Sequence, residues 1–218
     1  MYFQRMGESM QFYDITKKVI DFLLALIGLL LLWPFFLIIA IIIKLTSHGP
    51  VLFKQKRLGE NKTEFYILKF RTMRCETPKD MPTHLLNAPD IYITKVGKLL
   101  RKTSLDEIPQ LINIIKGQMS FVGPRPALWN QFDLISERDK YSANNIKPGL
   151  TGWAQVNGRD EISVIDKAKL DGEYKERLSL VFDFKIIVLT AVKVLKSDGV
   201  REGEYDQERA SSSKGAVL

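Results

Sequence analysis

Residues 22–43 place 22 consecutive side chains without a charge, and only Gly28 and Pro34 interrupt the aliphatic and aromatic run. As one helix the segment would be about 33 Å long at roughly 1.5 Å per residue, enough to cross the hydrocarbon core of a bilayer. Pro34 stands near its centre. Proline removes an amide donor and clashes with the preceding turn, so the helix is expected to kink or break around Trp33-Pro34. A re-entrant pair of half-helices, a single spanning helix and a buried core helix are the arrangements to distinguish. Lys17 and Lys18 precede the run, and Lys44, Lys54, Lys56 and Arg57 follow it. Basic flanks mark the cytoplasmic side, and two of them favour the re-entrant arrangement. A secretory leader fits poorly, because the turn Ser47-His48-Gly49-Pro50 follows the run where a small-residue cleavage site would be needed.

With 218 residues, 45% of them hydrophobic and 26% charged, the chain has the composition of an ordinary globular domain rather than a disordered one. One cysteine, Cys75, and two histidines, His48 and His84, cannot make an internal disulfide or the usual Cys/His zinc cluster, and a reducing compartment is expected. The formal charge of +7 calls for an acidic partner: nucleic acid, nucleotide phosphates or anionic lipid. Residues 44–74 carry eight basic side chains against Glu60 and Glu64, so the basic surface adjoins the apolar segment, where anionic head groups would meet it. Residues 197–218 are polar and should form a mobile tail.

Residues 11–46 read as helix broken at Pro34. Val51-Leu52-Phe53 and Phe65-Tyr66-Ile67-Leu68, separated by Gly59-Glu60-Asn61, read as a short hairpin. Pro78, Pro82 and Pro89 make 75–91 a loop. Val96, Leu99 and Leu100 have helical spacing, and a helix over 105–115 would align Ile108, Leu111, Ile112 and Ile115 before the stop at Gly117. Helix is expected again at about 127–140 and 162–177. The stretch 178–196, with Asp183, Lys185 and Lys193, is too interrupted to span and reads as an amphipathic interfacial helix.

The adjacent carboxylates Asp106 and Glu107 behind Arg101-Lys102-Thr103-Ser104 are the most unusual local feature. A capping box from Ser104 to Glu107 would account for them structurally. It would also put Pro109 at the fifth helical position, where its missing amide leaves a bond unmade, so catalysis stays open beside the cap. In Met119-Ser120-Phe121-Val122-Gly123-Pro124-Arg125-Pro126, Arg125 sits between Pro124 and Pro126, a stiff setting that suits bidentate contact with phosphate. A rigid turn that merely carries an exposed arginine has the same sequence. Lys147-Pro148-Gly149-Leu150-Thr151-Gly152-Trp153-Ala154-Gln155-Val156-Asn157-Gly158-Arg159 brings further turns, cations and an indole, and Lys69-Phe70-Arg71-Thr72-Met73 brings two cations to a strand end. There is no Walker loop and no Gly-x-Gly-x-x-Gly.

These four segments, in this order, resemble the monotopic phosphoglycosyl transferases, the bacterial sugar transferases that begin glycan assembly on a polyprenol carrier. The resemblance covers roughly residues 12–196. It implies transfer of sugar 1-phosphate from a UDP-sugar to undecaprenyl phosphate, giving a polyprenyl diphosphosugar and UMP by a ping-pong route. Asp106 would be the nucleophile and Glu107 its partner in proton handling, with Mg²⁺, or Mn²⁺ in its place, held at Asp106. Lys69, Arg71, Arg101, Pro124, Arg125, Pro126, Gln155 and Arg159 match the substrate-binding segments. One departure is Trp33-Pro34 at the helix break, where the family often has Ser-Pro.

The expected architecture is therefore α/β and mostly helical. Residues 1–11 form an N-terminal extension in which Tyr2-Phe3-Gln4 looks like an expression remnant; 12–46 is a re-entrant membrane helix. Residues 47–196 form a cytoplasmic catalytic domain with amphipathic interfacial helices and a β-hairpin. The partners implied are a UDP-sugar, undecaprenyl phosphate and the anionic phospholipid of the cytoplasmic face of the bacterial inner (plasma) membrane, with no nucleic acid; a homo-oligomer is compatible. The competing readings are a nucleic-acid-binding or anionic-lipid-binding module without catalysis, which leaves Asp106-Glu107 unexplained, and a bitopic enzyme on a spanning helix.

Overall fold

A computed structural model of the chain describes residues 2–78, 91–158 and 162–196. Its first element, α1 (Tyr2–Thr46), is a single helical run with Pro34 inside it. The N-terminal extension is thus part of the helix from Tyr2 onward, and the helix neither ends nor restarts at Trp33-Pro34 as expected. The reason lies in its packing. Gly28 faces the Leu111 side chain, and Ala25 and Leu32 lie in or against a core cluster with Phe65, Ile67, Leu111, Ile114 and Met119. Phe36, Ile39 and Ile43 belong to a second cluster with Phe70 and Leu100. Contacts at spacings of three and four residues continue on both sides of the proline, and they offset the one amide bond it forgoes.

The opposite face of α1 is exposed and almost wholly apolar, including Leu30, Leu31, Trp33, Phe35, Ile38 and Leu45. Only 11% of its most apolar stretch is buried, unlike the mostly buried core helix of a soluble protein.

After α1 the chain forms β1 (Leu52–Leu58) and β2 (Glu64–Phe70), antiparallel, with Leu52 opposite Phe70 and Leu58 opposite Glu64. The hairpin is longer than the apolar residues alone indicate, because Lys54, Lys56 and Arg57 continue its alternation. Next come α2 (Lys95–Lys102), capped by the Thr94 side chain on the amide of Gly97, and α3 (Gln110–Ile115). The expected helix over 105–115 divides into a 3₁₀ turn, Leu105–Glu107, and α3. Pro109 precedes the first turn of α3, where no amide donor is needed, and this resolves the awkward placement that a single helix would force on it.

Two three-residue strands, β3 (Ser120–Val122) and β4 (Gly149–Thr151), pair in parallel with Ser120 opposite Gly149 and Val122 opposite Thr151. Nothing in their sequence marks them as strands, yet they join two of the motif loops side by side. Between them lies α4 (Phe132–Lys140), which starts later than expected. The chain continues through α5 (Trp153–Val156), α6 (Val164–Glu176) and α7 (Leu180–Lys196). A third cluster, Val122, Val156, Tyr174, Phe182 and Ile186, joins α5, α6 and α7 to β3. Val181, Phe184, Ile187 and Val188 leave an apolar face of α7 exposed, as an interfacial helix requires. The expected loop beyond Pro78 and the expected mobile tail lie largely outside the described residues.

The part of α1 just before its apolar run is fixed by polar contacts. Asp183 of α7 accepts from the Tyr13 hydroxyl at 3.0 Å and the Lys17 ammonium at 2.6 Å through Oδ2, and from the Tyr174 hydroxyl at 2.6 Å through Oδ1. One turn on, Asp21 Oδ1 accepts from the amide of Phe121 at 3.2 Å.

Candidate active site

Asp106 and Glu107 lie in the 3₁₀ turn between α2 and α3. Ser104, before it, has φ +56° and makes no side-chain cap bond, so the capping box is not formed and does not explain the two acids. The next residue, Ile108, packs against both clusters that hold α1. The carboxylate turn is therefore seated against the apolar cores beneath the membrane helix.

The two acids have different surroundings. Glu107 Oε1 accepts from Lys69 Nζ at 2.6 Å and from Arg125 Nη2 at 3.2 Å. Lys69 comes from β2 and Arg125 from the loop after β3, so the glutamate ties the hairpin to that loop. Asp106 is buried, and within the described residues no hydrogen bond or ion pair occupies its carboxylate. Burial pushes its pKa above the usual aspartate value of 3.8; Lys69 pulls it back down, Glu107 adds to the rise, and Arg101 and Arg125 oppose it. Burial also lowers the Lys69 ammonium, against the attraction of Glu107.

Arg57, on β1, joins this cluster although it carries no motif signature. Its Nη1 donates to the carbonyl of Pro126 at 2.9 Å, and Nε and Nη2 donate to Gln55 Oε1 at 3.1 and 2.5 Å. Burial, and then the charge of Arg125, press its pKa down to about 9, so it remains charged at neutral pH. The signal for it in the sequence was only its membership of the 44–74 basic cluster. Arg57, Lys69, Arg101 and Arg125 are four cations acting on two carboxylates. Such a site is left electropositive enough to take a doubly charged anion such as a diphosphate.

Not every expected substrate-binding residue is used in this way. Arg71 donates through Nη1 to the carbonyl of His48 at 2.7 Å and through Nη2 to the carbonyl and hydroxyl of Ser47 at 2.8 and 2.7 Å. Its guanidinium serves the carbonyls left at the end of α1 rather than the carboxylate turn. Pro124 accepts from the Gly149 amide through its carbonyl, which locks the arginine loop to β4. Gln155 lies at the foot of that loop: a Cβ on Gly152 would collide with both the Gly123 carbonyl and Gln155 Oε1. Both amide atoms of Gln155 are buried without a partner among the described residues. Arg159 lies outside the described residues.

Among the described residues no group of three or more His, Cys, Asp and Glu side chains could hold a metal. With Glu107 paired to two cations, the donor set offers one unengaged carboxylate, Asp106. That set cannot cage a cation alone. It does suit Mg²⁺, which usually takes one or two carboxylates and completes its shell with water and substrate phosphate.

A carboxylate pair, Asp106 buried and Glu107 half-buried, ringed by guanidinium and ammonium groups and set beneath an apolar helix, suits a membrane-associated enzyme acting on phosphate esters. Comparison with known proteins narrows that class. The model of the bacterial sugar transferase family matches residues 12–197, and the chain belongs to that family. It is 39% identical over 204 residues to the uncharacterized sugar transferase EpsL of Bacillus subtilis (strain 168), spanning 93% of this chain and 98% of that protein. It is 42% identical over 191 residues to the UDP-glucose:undecaprenyl-phosphate glucose-1-phosphate transferase of Xanthomonas campestris pv. campestris, covering 84% of this chain but 40% of the relative. A UDP-N-acetylgalactosamine-undecaprenyl-phosphate N-acetylgalactosaminephosphotransferase of Aeromonas hydrophila is 37% identical over 196 residues, with 87% of this chain and 46% of the relative covered. The chain thus spans the whole of one relative and under half of the other two.

Proposed function

We propose that the protein transfers sugar 1-phosphate from a UDP-sugar to undecaprenyl phosphate, forming a polyprenyl diphosphosugar and UMP, and so begins assembly of a bacterial glycan at the cytoplasmic face of the plasma membrane. The observation that carries this reading is the division of labour between the paired acids: Glu107 is bound by Lys69 and Arg125, whereas Asp106 is buried and, among the described residues, its carboxylate accepts no hydrogen bond or ion pair. In the first step an Asp106 oxygen bonds to the sugar-proximal phosphorus, and the bond from that phosphorus to the bridging oxygen breaks. UMP leaves with the electron pair, and the sugar phosphate stays on Asp106. In the second step a phosphate oxygen of the lipid acceptor attacks the same phosphorus and releases the Asp106 carboxylate. Lys69, Arg101 and Arg125 lower the repulsion between carboxylate and diphosphate, and Glu107 would handle the acceptor proton. Asp106 would hold Mg²⁺ or Mn²⁺, and the bound ion would neutralise diphosphate charge.

The lipid acceptor accounts for the exposed apolar face of α1. Both ends of the apolar run are anchored to the same folded domain, through Tyr13, Lys17 and Asp21 before it and through Ile39 and Ile43 near its close. A helix so held keeps both flanks on one side of the membrane, which favours a monotopic arrangement over a spanning one. The named relatives use different sugars, so the test is UMP release from UDP-glucose, UDP-galactose and the UDP-N-acetylhexosamines by protein in detergent with undecaprenyl phosphate and Mg²⁺. Acceptor-dependent UMP from at least one donor is expected. Folded protein releasing none from any of them contradicts the reading.

A further inference from the structure

The loop that carries Arg125 has an unusual problem. Pro124 and Pro126 have no amide protons, so the segment can be held chiefly through its carbonyls. All four consecutive carbonyls from Pro124 to Ala127 have donors. Pro124 accepts from the Gly149 amide at 2.9 Å, and Ala127 from the Leu58 amide at 3.0 Å. Between them, Arg125 accepts from Arg138 Nη1 at 3.0 Å and Pro126 from Arg57 Nη1 at 2.9 Å. Two guanidinium groups thus grip the backbone on which a third is mounted.

Arg138 is the more telling of the two. It lies on α4, is 4% exposed, and among the described residues meets the carboxylate cluster only through the backbone carbonyl of Arg125. Its charge is balanced by Asp171 of α6, which is fully buried; Nε and Nη2 both reach Asp171 Oδ2, at 2.8 and 2.6 Å. Asp171 Oδ1 has no partner among the described residues. Burying two charges and an unsatisfied oxygen gives little net stability, and an apolar pair of similar volume commonly serves a core as well or better. Core stability alone therefore does not account for the pair. What it provides is a fixed, charge-assisted donor aimed at the Arg125 carbonyl.

We infer that Arg138, held by Asp171, is a positioning residue that sets the register of Arg125 against Glu107 and the donor diphosphate. This rests on the reading of Arg125 as a donor-phosphate cation. A guanidinium displaced by about 1 Å can lose up to roughly 100-fold in rate, and the loop has few amides of its own to resist such a shift.

The test is a double-mutant cycle with UMP release as the rate and hydrogen–deuterium exchange of the 119–130 segment as a readout that needs no substrate. Replacing the pair together, Arg138→Met with Asp171→Leu, removes the donor without leaving a lone buried charge. Arg138→Lys, which keeps the charge but not the fork, stands in if the double variant does not fold. In folded protein the expected results are faster exchange in 119–130 and a fall of roughly 10- to 100-fold in kcat/KM for the donor. In an Arg125→Ala background the same change should cost less than about 2-fold, because the group being positioned is gone. An undiminished penalty in that background, or unchanged exchange and turnover in folded protein, overturns the inference. Faster exchange in a protein whose wild type releases no UMP would instead count against the transferase reading and leave the positioning role standing.

Discussion

At the scale of single residues, Asp106 and Glu107 are neighbours given opposite tasks by their surroundings, and their substitutions should fail differently. Glu107→Gln leaves Lys69 and Arg125 without their shared anion and should lower turnover by orders of magnitude. No capping bond is lost with it, but the buried Lys69 ammonium loses its counter-charge, so the unfolding temperature should fall as well. Asp106→Asn should abolish turnover without loss of stability. The sign follows from burial: a carboxyl whose folded pKa lies above its unfolded value disfavours folding once ionised, and a neutral amide escapes that penalty. The same rise governs the pH profile. Asp106 must be ionised to attack, so kcat/KM should fall with falling pH along a limb lying above the ordinary 3.8, and Lys69→Met should move that limb higher by removing the largest opposing charge. A limb unmoved by Lys69→Met would remove Asp106 as the group that titrates.

At the scale of elements, α1 is the decisive one, because its attachment fixes where the membrane can lie. Cysteines introduced as Asp14→Cys and Asn61→Cys in a Cys75→Ser background should both be shielded from an impermeant thiol reagent in intact cells, and both should react after lysis. Labelling of the first alone in intact cells would show a spanning helix. Asp183→Asn should destabilise the protein by about 3–5 kcal/mol, since Lys17 would be left partly buried without its counter-charge; thermal unfolding in detergent measures it. The sequence made the apolar helix, the hairpin and the interfacial α7 legible because each has a period or a length that few other structures share. It could not show that α1 passes through Pro34 unbroken, because that depends on Leu32 and Phe36 finding partners far along the chain. Nor could it reveal β3 and β4, whose three residues each are too few for a pattern. The carboxylate pair and the Arg125 loop were visible as motifs. Arg57 and Arg138 were not, because their roles depend on which backbone carbonyls they reach.

At the scale of the whole molecule, an apolar face, a cluster of cations and a buried carboxylate lie on one fold, and under the proposed reaction a lipid-borne acceptor and a soluble diphosphate donor would meet at Asp106. If a divalent cation is held there with the diphosphate, EDTA should abolish UMP release and added Mg²⁺ should restore it; full release in metal-free buffer would dismiss the ion. The central claim is that Asp106 carries the sugar phosphate between the two substrates. Intact-protein mass spectrometry after incubation with the UDP-sugar that supports turnover, without lipid acceptor, tests it most directly. The wild type should gain the mass of one sugar phosphate, lose it when undecaprenyl phosphate is added, and show no gain as Asp106→Asn. Robust turnover with no adduct on the wild type, or an adduct that persists in Asp106→Asn, would contradict it.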